Sequence, residues 1–429
     1  MLKRFFENSF IKVVSHNSVI VFGRIITSFV VSKVSAIYLG PSGYAIVGNL
    51  RNLLQGLFGV TATGFGSGVV KYVAESKTDK DQFRVVVASA ITLSFILSLI
   101  LGLLLFSFSD FISEKVLLDK EWSFIITYLS LLLPLASLSF LIVYIANGLQ
   151  NFRLYTKMVT LGNILNAAIT FLLIFYFNLK GALLATFLVP VLSFLLGLLF
   201  KEVRSFLGSI YDYINNVSFQ VIKSIGTYVI MATYSAILIS LSYLLIRNKI
   251  ISYSDVKTAG LWEAMNKISS FYMMFFSSLF TLYLLPKLVE NKTVSGYFTA
   301  MKTYFKHLIP LTVISFLILF FLKEFIITLF LTKEFDSIEQ FFYLQLTGDF
   351  LKIIAFSLAY QFHAKKMVKL YMISDTVLYV TFYVLSFYLI NIYAIEGAFY
   401  AYILSVFLYL VVVALSLYVS NSKYLKVDV

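Results

Sequence analysis

Residues 90–108 read AITLSFILSLILGLLLFSF, a continuous apolar run without one charged side chain. About 20 such residues in an α-helix cross the hydrocarbon core of a bilayer. The run does not alternate apolar and polar residues, as the strands of a membrane β-barrel do. The whole chain is 60% hydrophobic and 13% charged, whereas soluble proteins are about 25% charged. The sequence therefore predicts an all-α integral membrane protein and excludes a soluble enzyme or a nucleic-acid-binding protein, despite a net charge of +13.

Apolar runs separated by charged breaks predict twelve transmembrane helices, called spans 1 to 12. The longest polar connection divides them six and six. We therefore expect an N-terminal lobe over 1–200, a cytoplasmic linker over 201–221 and a C-terminal lobe over 222–429 that ends in a short cytoplasmic tail. The predicted spans are 11–38, 44–74, 85–108, 122–148, 157–177, 181–200, 222–247, 258–286, 305–328, 338–363, 370–390 and 397–419.

Lysine and arginine are distributed unevenly between the two sides of these spans. The N-terminus and the even-numbered connections carry 20 of them, and the odd-numbered connections carry eight. Cytoplasmic connections of membrane proteins are enriched in these residues. The distribution predicts that both termini lie in the cytoplasm and that the protein resides in an inner or plasma membrane.

Several kinds of chemistry are excluded by what the sequence lacks. The chain has no cysteine and three histidines, so it has no disulfide and no cysteine-ligated metal site. No His/carboxylate cluster has metal-ligand spacing, and no Walker sequence is present. The non-cytoplasmic connections are too short for a catalytic domain. We therefore expect no catalytic residue, no metal and no cofactor.

Charged residues inside the predicted spans are the candidate functional residues, because such charges are costly in a membrane and often line pathways or ligand sites. Arg24 lies near the middle of span 1, and Lys33 lies towards its outer end. In span 2, Arg51, Asn52 and Gln55 belong to a stripe of small and polar residues. Such a stripe is also typical of close helix packing. Because arginine and two amides lie on it, we favour a solvated groove, and GVTATGFGSG at 59–68 predicts local bending.

The later spans carry charges of both signs. In span 8, Glu263 and Lys267 are four residues apart, and in span 10 Asp349 and Lys352 are three apart. At these spacings side chains face each other, so local ion pairing is one interpretation. The other is a site: Lys267 would join a cationic cavity, while Glu263, Asp349 and Lys352 are candidates for coupling to an ion.

Three stretches resemble one family of transporters. YLGPSGYAIVGNLRNLLQGLFGVTATGFGSGVVKYVAE at 38–75, YLLPKL at 283–288 and QLTGDFLKIIAF at 345–356 are similar to the corresponding regions of bacterial Wzx-type O-antigen translocases, especially the enterobacterial common antigen flippase branch. These belong to the multidrug/oligosaccharidyl-lipid/polysaccharide exporter superfamily. The resemblance implies two six-helix lobes around a central cationic cavity. The family's basic positions in its first two spans fall on Arg24, Lys33 and Arg51, and its span 10 pair falls on Asp349 and Lys352.

The family implies a function as well as a fold. Its members flip an oligosaccharide on undecaprenyl pyrophosphate from the cytoplasmic to the periplasmic leaflet by alternating access, for synthesis of O-antigen or a related surface polysaccharide. The implied partners are this substrate, membrane lipids, a polysaccharide polymerase and a chain-length regulator. Two alternatives remain open: a drug or cation exporter of the same superfamily, and a membrane-embedded polysaccharide polymerase or ligase. The energy source, whether protons, sodium or membrane potential, also remains open.

Overall fold

The computed structural model describes residues 9–207, 216–290, 293–365 and 367–425. Within these ranges the regular structure is helical, as the hydropathy predicted, and short 3₁₀ or π segments join some of the helices. The α-helices are α1 (Ser9–Thr61), α2 (Gly66–Ser76), α3 (Lys80–Ser107), α4 (Ser109–Val116), α5 (Ser123–Gly148), α6 (Phe152–Gly197), α7 (Lys201–Leu207), α8 (Phe219–Tyr253), α9 (Val256–Leu279), α10 (Leu285–Glu290), α11 (Val294–Phe321), α12 (Lys323–Phe330), α13 (Phe342–Ala364), α14 (Val368–Tyr393) and α15 (Ile395–Leu425).

Nine helical segments in the described ranges are long and apolar enough to cross a membrane. This confirms the predicted class, a multi-pass α-helical membrane protein. Two of these segments contain sharp kinks where the sequence predicted separate spans. The kink in α1 is at Gly40, with φ of 59°, followed by Pro41, and the kink in α6 is at Asn178, with φ of 47°. The count of twelve spans stays a prediction.

The break predicted at 59–68 is confirmed. α1 ends at Thr61, a 3₁₀ turn covers Thr63–Phe65, and α2 begins at Gly66. Neighbouring helices hold the break through Thr61: its carbonyl accepts a hydrogen bond from Ser94 Oγ at 2.6 Å. The hydroxyl of Ser137 donates to Thr61 Oγ1 at 2.7 Å. The stripe of small and polar residues is therefore interrupted within the predicted span 2, between α1 and α2.

The chain forms two compact units, the first comprising Met1–Leu39 with Ile46–Ser240 and the second Gly40–Ala45 with Leu241–Val429. In the first unit, apolar side chains of α2, α3, α5 and α6 form a core that includes Val69, Val87, Ile142 and Met158. In the second unit, the turn at Gly40 packs against α9. A side chain added to Gly260 would meet the carbonyl oxygen of Pro41 at 1.7 Å.

Some predicted boundaries lie where the structure gives no description. Residues 208–215 of the predicted linker and both chain ends, 1–8 and 426–429, are outside the described residues. The lobe boundaries over 1–200, 201–221 and 222–429 and the cytoplasmic placement of the termini therefore stay predictions. The helix that contains the predicted span 7 continues past Arg247 to Tyr253. Arg247, the last residue of that span and one of the eight cations counted with the odd-numbered connections, is helical and fully buried.

Candidate substrate cavity and buried charges

The first unit contains a cavity of about 430 Å³ between α1, α5 and α6, next to the break after Thr61. Its lining mixes apolar residues with many hydrogen-bonding groups. Among the described residues that line it, Arg24 is the one charged residue and no carboxylate is present. The cavity therefore presents donors and one positive charge, a combination that suits an anion with polar substituents. The polar lining residues are Arg24, Thr63, Ser139, Tyr144, Tyr155, Asn163, Asn166, Thr186 and Ser193.

Arg24 is exposed within its unit and forms no ion pair with any residue that the structure describes. A guanidinium carries five N–H donors in a planar fork that matches phosphate and carboxylate oxygens. The structure thus places Arg24 in the lining of a polar cavity. Its role in binding a substrate is a separate matter and stays a prediction.

Asn163 of α6 packs against α1 at Gly23 and Thr27. The hydroxyl of Thr27 donates to the carbonyl oxygen of Asn163 at 3.1 Å. A side chain added to Gly23 would lie 3.3 Å from the Asn163 amide nitrogen, so the helices touch at this point. That nitrogen, Nδ2, is buried and has no hydrogen-bond partner among the described residues. A buried donor without an acceptor costs about 1–3 kcal/mol, so this amide is a candidate for contact with a ligand.

The other cationic and amide candidates of the first unit lie outside this cavity lining. Lys33 and Arg51 are half-buried, and both contact other groups of the protein. Asn52 is half-buried, and its buried Nδ2 has no hydrogen-bond partner in the described part of the chain. Gln55 is exposed. Arg24 therefore lines this cavity, whereas the other four candidates lie outside its lining. These four are Lys33, Arg51, Asn52 and Gln55.

Asp349 of α13 is fully buried in the second unit and is surrounded by hydrogen-bond donors. Its Oδ2 accepts hydrogen bonds from Ser269 Oγ at 2.6 Å, from Gln345 Nε2 at 3.1 Å and from the Tyr272 hydroxyl. Its Oδ1 accepts one from the Tyr402 hydroxyl at 2.6 Å. These donors come from α9, α13 and α15. The carboxylate is therefore satisfied by neutral groups of three helices.

Lys352 is not the ion-pair partner of Asp349 in the described chain. Its ammonium lies over aromatic rings instead, 5.4 Å from the centroid of Phe356 and 5.5 Å from that of Tyr402. Ammonium groups within about 6 Å of a ring centroid are attracted by the ring's negative face. The interpretation of Asp349 and Lys352 as a local ion pair is wrong, because the carboxylate turns to hydroxyls on other helices.

Gly348 explains why the sequence Gly-Asp occurs in α13. A side chain at position 348 would lie 2.5 Å from ring atoms of Tyr402. Only a residue without Cβ lets the Tyr402 ring approach this closely and place its hydroxyl on Asp349.

Glu263 of α9 pairs with Arg247 of α8, a partner that the sequence did not indicate. The guanidinium of Arg247 donates from Nη2 to Glu263 Oε2, and Arg247 is 0% and Glu263 7% exposed. The Arg247 guanidinium also lies 5.5 Å from the ring centroid of Trp262. Lys267, the local partner considered for Glu263, is half-buried and lies 5.5 Å over the ring of Phe271. Glu263 is thus part of a buried ion pair between two helices.

A second, smaller cavity of about 320 Å³ lies in the second unit. Leu279, Leu308 and Leu311 line it together with Tyr283, Tyr304 and His307. It offers few polar groups and no carboxylate, and none of the predicted site residues is in its lining.

Sequence comparison assigns the chain to a family. A family model described as "Polysaccharide biosynthesis protein" matches residues 12–292. The chain is 23% identical over 394 residues to the lipid III flippase of Escherichia coli (strain K12), covering 90% of this chain and 92% of that protein. The lipid III flippase of Shigella flexneri gives the same identity and coverage.

Solved structures share the fold. A multidrug resistance MATE family transporter of the MOP superfamily, in its inward-facing conformation, matches with a TM-score of 0.76 at 16% identity, over 94% of this chain and 96% of that one. The lipid II flippase MurJ in an inward closed conformation matches with a TM-score of 0.70 at 16% identity, over 95% and 87%. These structures confirm the all-α fold, and the family model and the flippase relatives confirm the predicted resemblance to Wzx-type translocases. Since the family model spans well over half of its length, the chain belongs to the polysaccharide biosynthesis protein family.

Proposed function

We propose that this protein is a flippase for oligosaccharide repeat units linked to undecaprenyl pyrophosphate. It moves them from the cytoplasmic to the periplasmic leaflet of the bacterial inner membrane by alternating access, with both of its termini in the cytoplasm. The observation that carries the proposal is the polar cavity of the first unit, which places Arg24 among hydroxyls and amides and has no carboxylate among its described lining residues.

The physical need for such a cavity follows from the substrate. A pyrophosphate with its glycan cannot enter hydrocarbon, because an isolated charge there costs many kcal/mol. The prenyl chain, by contrast, is apolar and can remain in the lipid hydrocarbon. A flippase therefore has to supply water, hydrogen-bond donors and positive charge along the path of the head group only. The family model and the curated relatives, which are named lipid III flippases, support the same substrate class.

A drug or cation exporter is the alternative function, because the chain shares its fold with a multidrug resistance MATE family transporter. Such a protein has to hold an organic cation, for which an acidic or apolar cavity is suited. The exposed guanidinium of Arg24 would repel a cation, and no described residue of the cavity lining is a carboxylate that could neutralise it. The remaining alternative is a membrane-embedded polymerase or ligase. Such an enzyme would need a large outer connection to carry catalytic residues, and the predicted outer connections of this chain are short.

The other predicted residues have supporting roles in this proposal. Lys33, Arg51, Asn52, Gln55 and Lys267 would guide or bind the head group at points outside the cavity of the first unit. Three charged residues of the second unit are candidates for coupling transport to an ion: Glu263, Asp349 and Lys352. A polymerase and a chain-length regulator would act on the flipped product.

The proposal is tested with purified protein in vesicles. Polyprenyl pyrophosphate carrying a defined, fluorescent oligosaccharide is placed in both leaflets, and a membrane-impermeant quencher measures its exchange; uptake of ethidium is measured in parallel vesicles. We expect exchange of the lipid-linked oligosaccharide without ethidium transport. Ethidium transport together with no exchange for any lipid-linked sugar would favour the exporter and overturn the proposal.

A further inference from the structure

The cavity of the first unit carries more than a positive charge. Its lining also offers amides at Asn163 and Asn166 and aromatic rings at Phe140, Tyr144 and Tyr155. Inorganic anions need only charge and donors. Amides that exchange hydrogen bonds with hydroxyl groups, beside rings that cover apolar C–H faces, are the groups that a sugar needs. The lining therefore matches a ligand that has an anionic end and a sugar ring.

Arg24 and Asn163 both line the cavity. Gly23 and Arg24 are consecutive in α1, and Asn163 Nδ2 lies close to the backbone at Gly23. Because Nδ2 is buried and finds no acceptor among the described residues, an oxygen of a ligand beside Arg24 would complete it. Asn166, on the same helix, accepts a hydrogen bond from Thr170 Oγ1 at 3.2 Å through Oδ1, which fixes its orientation. The positive charge and the unsatisfied amide thus belong to the same lining, and Asn163 packs against the residue that precedes Arg24.

One aromatic ring is fixed in place by the break between α1 and α2. A side chain added to Gly66 would lie 2.5 Å from Tyr144 Cζ, so the first residue of α2 is in tight contact with that ring. A ring that is already ordered loses little entropy on binding, which favours its use as a stacking surface.

The size of the cavity limits how much of a substrate it holds. Its volume of about 430 Å³ is in the usual range for small-molecule sites, roughly 300–1,000 Å³. A single sugar with one phosphate is a ligand of that class, whereas a complete repeat unit with its prenyl chain is not. One guanidinium also matches one phosphate group.

On this basis we infer that the cavity of the first unit is a subsite for the sugar phosphate at the lipid end of the substrate, with the phosphate on Arg24 and Asn163 and the sugar ring beside Asn166 and Tyr144. The inference rests on the proposed function and adds to it the part of the substrate that is recognised. It also predicts that recognition takes place inside the first unit itself.

The chain has no native cysteine, so a single introduced cysteine reports on the cavity. Ser193→Cys in the lining is labelled with a maleimide in lipid nanodiscs, with and without polyprenyl pyrophosphate carrying one sugar. At a lipid concentration ten times Kd, labelling should slow about tenfold, because the free fraction falls as 1/(1 + [L]/Kd). Polyprenyl pyrophosphate without a sugar should protect Ser193→Cys much less. Gln55→Cys, outside the lining, is labelled in parallel as a second reporter position.

Two variants in the Ser193→Cys background test the chemistry. Asn163→Asp puts a carboxylate beside Arg24 at almost unchanged volume, and Arg24→Gln removes the charge; each should abolish protection. Asn147→Asp makes the same substitution on α5 outside the lining and should leave protection intact. Equal labelling with and without the glycosylated lipid, or protection that survives both cavity variants, would overturn the inference.

The outcome also separates this inference from the proposed function. Vesicles that exchange lipid-linked oligosaccharide while only Gln55→Cys is protected would reject the cavity as the subsite and leave the flippase standing. Protection of Ser193→Cys by the glycosylated lipid, without exchange of any lipid-linked sugar, would reject the flippase and leave a sugar-phosphate binding site.

Discussion

The hydroxyl of Tyr402 donates a 2.6 Å hydrogen bond to Oδ1 of Asp349 and thereby joins α15 to α13. Ser269 and Tyr272 of α9 donate to the other oxygen of the same carboxylate. One buried charge therefore organises three helices of the second unit. If Asp349 also exchanges an ion during transport, these hydrogen bonds have to rearrange in that step, which gives the residue a structural role in addition to any coupling role.

The first prediction removes one donor from this carboxylate. Tyr402→Phe keeps the ring and deletes the hydroxyl, and hydrogen bonds to charged groups contribute about 1.5–3 kcal/mol. We expect the free energy of unfolding in mixed SDS micelles to fall by that amount. Tyr418→Phe is the control, because Tyr418 is on the same helix and is 75% exposed. Equal stability of the two variants would show that the Tyr402 hydroxyl does not support Asp349.

The second prediction concerns the close approach of Tyr402 to Gly348. Gly348→Ala forces a methyl group to within 2.5 Å of the ring, and overpacking of this kind costs typically about 1–3 kcal/mol. Gly226→Ala is the matched change in α8, since nothing lies within 4 Å of its added Cβ. That variant should be neutral or up to about 1 kcal/mol more stable, because alanine favours helices. When unfolding is measured under the same conditions, Gly348→Ala should therefore lower the free energy of unfolding, and Gly226→Ala should not.

A third prediction tests the buried ion pair of α8 and α9. Removing one partner of a buried pair typically costs about 3–5 kcal/mol, because the other charge stays in the interior. Glu263→Gln should therefore lower the yield of folded protein and its resistance to SDS. Adding Arg247→Met to that variant removes the remaining charge and should recover part of the loss. A double variant less stable than Glu263→Gln alone would contradict the assignment.

The fourth prediction is a pH dependence outside the membrane-spanning segments. Asp255 precedes α9 and accepts a hydrogen bond from the Thr258 backbone N–H at 2.6 Å, which holds the pKa of Asp255 below its usual value. A lowered pKa means that this stabilisation is present above the ordinary Asp pKa of about 3.9 and is lost as the pH falls through the lower pKa of the folded state.

Asp255→Asn keeps an acceptor for the cap but does not titrate. The difference in unfolding midpoint between the parent and this variant should therefore be constant from about pH 7 to 5. Below about pH 4 the parent should lose stability relative to the variant. Asp255→Ala should cost about 0.5–2 kcal/mol near neutral pH, as the loss of an N-cap does. A parent and an Asn variant with parallel pH profiles down to the lowest pH would contradict this role for Asp255.

Hydropathy and local backbone signals predicted the fold class, an interruption between spans 1 and 2 where Gly40 lies, and bending at 59–68, because these depend on the residues at the site itself. Arg247 was missed because a charge near the end of an apolar run is indistinguishable from a loop charge until its partner Glu263 is known. Periodicity showed that Asp349 and Lys352 face the same way along α13. It could not show that hydroxyls from α9 and α15 reach the carboxylate first.

The cavity was predicted only in part. Arg24 was identified because an arginine in mid-span is rare, so the residue type alone carries the signal. Asn163 carries no such signal, since amides and hydroxyls in membrane helices most often bond to the backbone or to a neighbouring helix. What distinguishes it is that Nδ2 has no acceptor in the described part of the chain, a property of the packing between α1 and α6. The lining of Asn166, Tyr144 and Ser193 likewise appears only once α5 and α6 are placed against α1.

The most direct test of the central claim is the exchange rate of lipid-linked oligosaccharide in vesicles that contain equal amounts of folded parent, Arg24→Lys or Arg24→Gln. Loss of a charge-assisted hydrogen bond worth about 1.5–3 kcal/mol predicts that Arg24→Gln exchanges roughly ten- to a hundredfold more slowly at low substrate. Arg24→Lys should retain part of the rate, since it keeps the charge without the planar fork. Exchange by Arg24→Gln at the parental rate would contradict the claim that this cavity carries the anionic head group across the membrane.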